Sequence, residues 1–260
     1  MDNFLRFSHV SFFRNGNCIL DDISFSVPKA ESLVILGRNG AGKTTLINLL
    51  FGYLWPTTGS VFVLNEEYGT TALKPIQTKI GIVQPAHQEQ LLQKSLTVEE
   101  MILTGFYATL GLYNDPTDDD RKKAKERLSL LNLTHKAKQT YSTLSSGEKS
   151  KVLLLRALGN GKEILILDEP AAALDVTARF ELNESISKIK KENPDLTRIL
   201  ITHRLEEIPK DFSSVLLLKE GKILSYGKKE DVLTAEHLSE LYDLNLDVAV
   251  NNGQYSTSFK

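Results

Sequence analysis

The segments FLRFSHV (4–10) and CILDDISFSV (18–27) alternate apolar and polar positions, the period-two pattern of half-buried strands. Asn15-Gly16 supplies tight-turn chemistry between them. The run SLVIL (32–36) is apolar throughout and stops at Gly37, and TTLINLLFGYL (44–54) takes helical spacing. Two later runs, EILILDEP (163–170) and RILITH (198–203), are short, apolar on both faces and rich in Ile and Leu. They predict central parallel strands covered by helices on both sides. SVLLLKEGKILSYG (214–227) predicts a hairpin around Glu220-Gly221.

Between Pro85 and Leu144 the pattern turns helical. TVEEMILTGFYATLGLY (97–113) opens with Thr97 and Glu100, a capping box. PTDDDRKKAKERLSLLNL (116–133) sets Asp118, Asp119 and Asp120 ahead of Arg121, Lys122 and Lys123, acid before base as a helix dipole favours. The three aspartates therefore read as a solvated helix start rather than a metal cluster. The pattern predicts one α/β domain, 1–260: a core from 1–84 and 145–260 with a mainly parallel sheet and an N-terminal antiparallel β part, and a helical lobe inserted at 85–144. The polar tail NNGQYSTSFK (251–260) is expected to fray.

Composition narrows the class. The 260 residues suit one large domain, and Lys+Arg 31 against Asp+Glu 33 leaves net charge -2. No basic field gathers nucleic acid, so none is expected as a partner. Cys18, the single cysteine, reads as a small strand residue. No apolar run approaches the roughly 18 residues that span a bilayer. MDNFLRFSHV lacks a secretory pattern. A cytoplasmic protein is expected, with any membrane work left to a separate chain.

The chemistry concentrates in a few stretches. GRNGAGKTT (37–45) fits G-x-x-x-x-G-K-[ST] between a strand and a helix. Its backbone N–H groups along Gly37, Arg38, Asn39, Gly40, Ala41 and Gly42 wrap phosphates. Lys43 reaches the β- and γ-phosphates, Thr44 offers a hydroxyl to Mg²⁺, and Thr45 adds an α-phosphate contact. The motif predicts binding of a nucleoside triphosphate. Asp168 and Glu169 end a buried strand, where parallel sheets hold ligands. Asp168 suits Mg²⁺; Glu169 suits polarising the water that attacks the γ-phosphate. TLSSGEKSKVLLLRAL (143–158) is a second anion-binding pattern: Ser145, Ser146 and Gly147 bare their N–H groups at a helix start.

These motifs, with Gln84 in IGIVQPA, LSSGE (144–148), AALD ending at Asp175, and His203 in ILITHR, follow one another in the order of the ATP-binding-cassette (ABC) ATPases, which the chain resembles from about Phe4 to Asp231. The resemblance implies ATP and Mg²⁺ as cofactors, Mg²⁺ held by Thr44, Gln84 and Asp168, and Glu169, His203 and Gln84 as the catalytic group. It implies that Phe13, in VSFFRNG, stacks on adenine. It further implies a head-to-tail homodimer, in which Ser145, Ser146, Gly147 and Glu148 grip the γ-phosphate of the neighbour's ATP, and it counts Asp175 among the nucleotide-binding residues. Ser146 stands where glycine is commoner and Glu148 where glutamine is. A carboxylate there repels phosphate unless it turns away or pairs with Lys149 or Lys151.

The stretch 97–113 is similar to metal-chelate importer ATPases, and its end to cytosolic ATPases related to molybdenum transport. The resemblance thus implies the ATP-hydrolysing subunit of an ABC transporter, peripheral at the cytoplasmic membrane face. A separate permease would dock along Pro85–Tyr113, with Leu91, Leu92, Phe106, Tyr107 and Tyr113 as candidate anchors. A free-standing cytosolic ATPase that binds or regulates a partner is the other reading open at this point.

Overall fold

The computed structural model describes residues 4–260; Met1–Asn3, the start of the stretch read for a targeting signal, lie outside the described residues. β1 (Leu5–Arg14) and β2 (Asn17–Val27) form a hairpin turning at Asn15-Gly16, both at positive φ (52° and 79°) as a two-residue turn between twisted strands requires. β3 (Ser32–Leu36) leads through the glycine loop into α1 (Lys43–Phe51). Then come β4 (Thr58–Val63), β5 (Glu66–Glu67), α2 (Leu73–Thr78) and β6 (Ile80–Val83). The helices α3 (Pro85–Leu91), α4 (Val98–Phe106) and α5 (Asp118–Leu130) precede α6 (Ser146–Ala157). β7 (Ile164–Asp168), α7 (Val176–Glu192) and β8 (Thr197–Thr202) return to the sheet. The hairpin β9 (Ser214–Lys219) and β10 (Lys222–Lys228) is followed by α8 (Lys229–Val232), α9 (Ala235–Tyr242) and a last pair, β11 (Leu246–Asn251) and β12 (Gln254–Phe259).

The main sheet runs β10-β9-β3-β8-β7-β6, parallel except for β9–β10. A four-stranded antiparallel sheet, β2-β1-β4-β5, stands beside it. The all-apolar runs are explained by two cores, one on each face of the main sheet. Leu33, Ile35, Ile199 and Ile201 pack towards α1 and the antiparallel sheet. Their neighbours Val34, Leu36, Leu200 and Leu167 pack on the other face with residues of α4, α6, α7 and α9. Because β3, β6, β7 and β8 are parallel, their C-terminal ends share one edge. The glycine loop, Gln84, Asp168-Glu169 and His203 all emerge there.

The box read at Thr97–Glu100 forms, and the acidic start of α5 carries a second reciprocal box, Thr117–Asp120, that the sequence reading did not name. Asp120 caps α5 and Asp119 pairs with Lys123, so these aspartates do structural work. The tail corrects the expectation of fraying. β11 and β12 pair in register from Leu246↔Phe259 to Asn251↔Gln254 around Asn252-Gly253, both at positive φ. Leu246 and Tyr255 are buried in the main core, which holds the tail down.

Candidate functional site

The glycine loop wraps the start of α1. Gly42 takes φ 104°, and a Cβ there would stand 2.7 Å from Leu20 Cδ2 and 3.1 Å from the Ile19 carbonyl, so only glycine lets β2 cross this closely. Lys43 is 7% exposed; its Nζ donates to the carbonyls of Gly37 (2.7 Å) and Arg38 (3.0 Å) and lies 3.9 Å from Glu169 Oε1. Burial lowers its pKa, opposed by the charges of Glu169 and Asp168. The ammonium thus sits between the loop and the carboxylates.

At the end of β7, Asp168 accepts from Gln84 Nε2 at 2.9 Å. Burial raises its pKa, with Gln84 pulling the other way. Glu169 turns out of the strand at φ 47° while its N–H still donates to Ile201 of β8 (2.9 Å). The turn brings its Oε1 to 3.2 Å from His203 Nδ1. Arg204 Nε donates to His203 Nε2 (3.3 Å). A guanidinium only donates, so Nε2 accepts and the Nδ1 proton faces Glu169. Five residues from four strand ends therefore converge: Lys43, Asp168, Glu169, Gln84 and His203.

Most of this group lines one cleft of about 1200 Å³: Asn39, Gly40, Gly42, Lys43, Thr44, Thr45, Gln84, Asp168 and Glu169 from the core, with Ser146 from α6. Arg38 and Ala41 face a smaller neighbouring cavity with Asn39 and Gly40. Gly37, Ser145, Gly147, Glu148, Asp175 and His203 are not among the cleft walls. Nor is Phe13, which lies on β1, 47% exposed, its N–H donating to Thr57 Oγ1 (3.0 Å). Asp175 caps α7 by accepting from the Ala178 N–H (2.8 Å).

The second anion-binding pattern has a definite geometry. Ser145 is the N-cap of α6, and Glu148 Oε2 reaches back to the Ser145 N–H (2.9 Å) and Oγ (3.1 Å). Its other oxygen pairs with Lys136 at 3.1 Å. The expected partners, Lys149 and Lys151, are not used: Lys151 binds Glu181 (2.6 Å) and the Lys149 ammonium stands over the Tyr141 ring. The carboxylate turns back into the cap, which leaves Ser146 free to line the cleft. The Ser145 hydrogen bond holds its pKa below the usual carboxylate value.

Ile19, Asn48, Tyr53, His87 and Glu89 also line the cleft without having been singled out in the sequence, as does Lys149, which the sequence suggested only as a partner for Glu148. Only Tyr53 carried a signal, an aromatic just past the Gly52 C-cap of α1. The donors facing the cleft from Thr44, Gln84 and Asp168 are hard oxygens, and no group of three His, Cys, Asp or Glu that could hold a metal occurs among the described residues. That set fits Mg²⁺, which takes one or two carboxylates and completes its shell with phosphate and water.

Among the described residues, no helix is long and apolar enough to cross a membrane. Residues 20–172 match the family model described as ABC transporter. An uncharacterized ABC transporter ATP-binding protein of Bacillus subtilis, YlmA, is 40% identical over 95% of this chain and 94% of its own. Among solved structures, one described as an inward-facing metal-chelate type ABC transporter superposes with TM-score 0.76 and 25% identity, over 98% of this chain and 96% of that one. CbiO1 of Clostridium perfringens, described as part of the transporter complex cbiONQ, gives TM-score 0.80 and 26% identity over 92% and 94%. The phosphate loop, the strand-end carboxylates and the whole fold converge on one assignment: the chain belongs to the ABC transporter family, as an ATP-binding subunit.

Proposed function

We propose that the chain hydrolyses ATP to ADP and phosphate, with Mg²⁺, to drive solute transport through a separate membrane permease. The observation that carries this is that Glu169, which lines the cleft with Lys43, lies 3.9 Å from Lys43 Nζ and 3.2 Å from His203 Nδ1. The backbone N–H groups from Gly37 to Thr45 cradle the phosphates, and Lys43 exchanges its carbonyl partners for phosphate oxygens. Thr44, Asp168 and Gln84 would hold Mg²⁺, which would supply positive charge to the phosphate oxygens. Glu169 takes the proton of the attacking water; His203 orients Glu169; Phe13 stacks on adenine.

In this reading two copies assemble head to tail, and Ser145, Ser146, Gly147 and Glu148 of each complete the other's site, with Asp175 among the nucleotide-binding residues. The permease would bind along α3 and the loop after α4 at the cytoplasmic membrane face. Leu91 and Tyr113 are exposed there and suit docking, whereas Leu92 is buried and Phe106 and Tyr107 pack on the core. The names of the relatives, transporter ATP-binding proteins and a transporter-complex component, support this reading over a free-standing module.

Glu169→Gln tests it. General-base loss costs about 10²–10⁴-fold in turnover. Steady-state phosphate release should fall by that much while ATP still binds by equilibrium dialysis. Parental turnover in the variant would remove Glu169 as the base and the reading with it.

A further inference from the structure

α9 lies outside every motif, yet its last two positions reach both sides of the site. The Tyr242 hydroxyl donates to the backbone carbonyl of His203 at 3.1 Å. Asp243, the C-cap of α9, turns at φ 57°, and its carboxylate bridges Lys219 (2.6 Å) and Arg38 Nη1 of the glycine loop (2.9 Å). Burial, with the charge of Glu206, pushes the Tyr242 phenol up to about 12, so it stays a donor at working pH.

The tail fixes this helix end against the segment after His203. Leu246 N–H donates to Ser239 Oγ of α9 (3.0 Å), and Gln254 Nε2 of β12 donates to the Glu206 carbonyl (3.2 Å). Leu205, Leu238, Leu241, Leu246 and Tyr255 belong to the same buried core. One rigid corner therefore touches the His203 peptide and the glycine loop together, through consecutive residues.

We propose that Tyr242 and Asp243 are positioning residues for ATP hydrolysis: Tyr242 sets the peptide plane that aims His203 at Glu169, and Asp243 holds the glycine loop through Arg38. The proposal rests on the assignment of Glu169 and His203 above. Tyr242 acts on the chemical step, because His203 meets the attacking water's base. Asp243 acts on nucleotide binding, because Arg38 belongs to the loop that takes the phosphates. The two residues are thus distinguished by which kinetic constant each moves.

The test is steady-state ATPase kinetics on the full chain, with Glu169→Gln alongside. Tyr242→Phe removes one oxygen and keeps the ring; kcat should fall about fivefold with KM for ATP unchanged within about twofold. Asp243→Ala should raise KM about threefold with kcat near parental, and Asp243→Glu should recover part of it. On a His203→Ala background Tyr242→Phe should cost nothing more, since it acts through that side chain. Should His203→Ala turn over too slowly to compare, the imidazole NMR signals of His203, but not of His9, should move in Tyr242→Phe. Parental kcat in Tyr242→Phe, an equal further loss on His203→Ala, or unmoved His203 signals would each overturn the proposal. Parental turnover in Glu169→Gln would instead bring down the assignment beneath it.

Discussion

Glu169 is a long side chain on a left-handed backbone, φ 47°, next to a second carboxylate that is likewise half-buried. Non-glycine residues pay roughly 1–2 kcal/mol for that conformation, and Asp168 adds like-charge repulsion. Both costs serve placement: an extended backbone would leave the carboxylate in line with β7, away from His203 and Lys43. Glu169→Gly removes the side chain and suits the φ, so it should stabilise the nucleotide-free chain by about 1 kcal/mol while abolishing turnover. Thermal unfolding without nucleotide reads this, and a lower midpoint would show that Lys43 depends on the Glu169 charge more than the backbone is strained. The motif around Glu169 was legible from residue types in order. Its backbone state was not, because nothing in ILILDEP marks a positive φ at a glutamate. Phe13 is the weaker residue-scale reading, since it lies on β1 outside the cleft walls. If it stacks on adenine, Phe13→Ala costs about 1–3 kcal/mol of ATP binding by calorimetry, the range for a base on an aromatic. Unchanged affinity would free Phe13 from the site and turn attention to Tyr53, which does line the cleft.

Elements whose signals are local came through the sequence: the Asn15-Gly16 hairpin, the box on α4, the acidic start of α5, β3 as an apolar strand ahead of the glycine loop, and β7 and β8 as doubly covered strands. Two features did not, for different reasons. The tail pair β11–β12 carried its turn signal, Asn252-Gly253, but its flanks are polar, and its stability comes from Tyr255 and Leu246 reaching a distant core. The start of α6 and the turning away of Glu148 were legible, but its cation was not: Lys136, from the segment ahead of the helix, pairs with it rather than Lys149 or Lys151. This cap has a pH signature. The folded Glu148 pKa lies below its unfolded value of 4.5 through the Ser145 hydrogen bond first, so the contribution is present above 4.5 and is lost as pH falls through the folded pKa. Glu148→Gln keeps an acceptor for the Ser145 N–H and gives up the Lys136 pair, a surface-type interaction of about 0–1 kcal/mol. Denaturant unfolding should find the variant slightly less stable than the parent at neutral pH, with the gap closing in acid. A gap that widened in acid would mean that the ionised carboxylate strains the cap.

At the scale of the whole molecule, the parallel sheet explains why so few residues suffice. Four strands deliver their C-terminal ends to one edge, so residues spread from Asn39 to Glu169 line one cleft and His203 reaches it through Glu169. Ser146 of α6 lines the same cleft, and the fold alone permits two uses of this helix start. It could meet the chain's own nucleotide, or it could meet a second copy's nucleotide in the head-to-tail dimer. Mixing two inactive variants separates them. Lys43→Ala has no working phosphate loop but an intact α6 start. Ser146→Arg has an intact loop and a blocked α6 start. If each site is completed by the partner, a mixed dimer pairs the good loop of one chain with the good α6 start of the other and rebuilds one of its two sites. With half of the dimers mixed, turnover should recover to about a quarter of the parental rate, as closed two-fold pairing requires. If α6 serves its own chain, every site in the mixture keeps one defect and the mixture stays as inactive as its components. Each variant alone, assayed at the same total concentration, gives the baseline, and nucleotide binding by Ser146→Arg alone checks that its own loop is undisturbed.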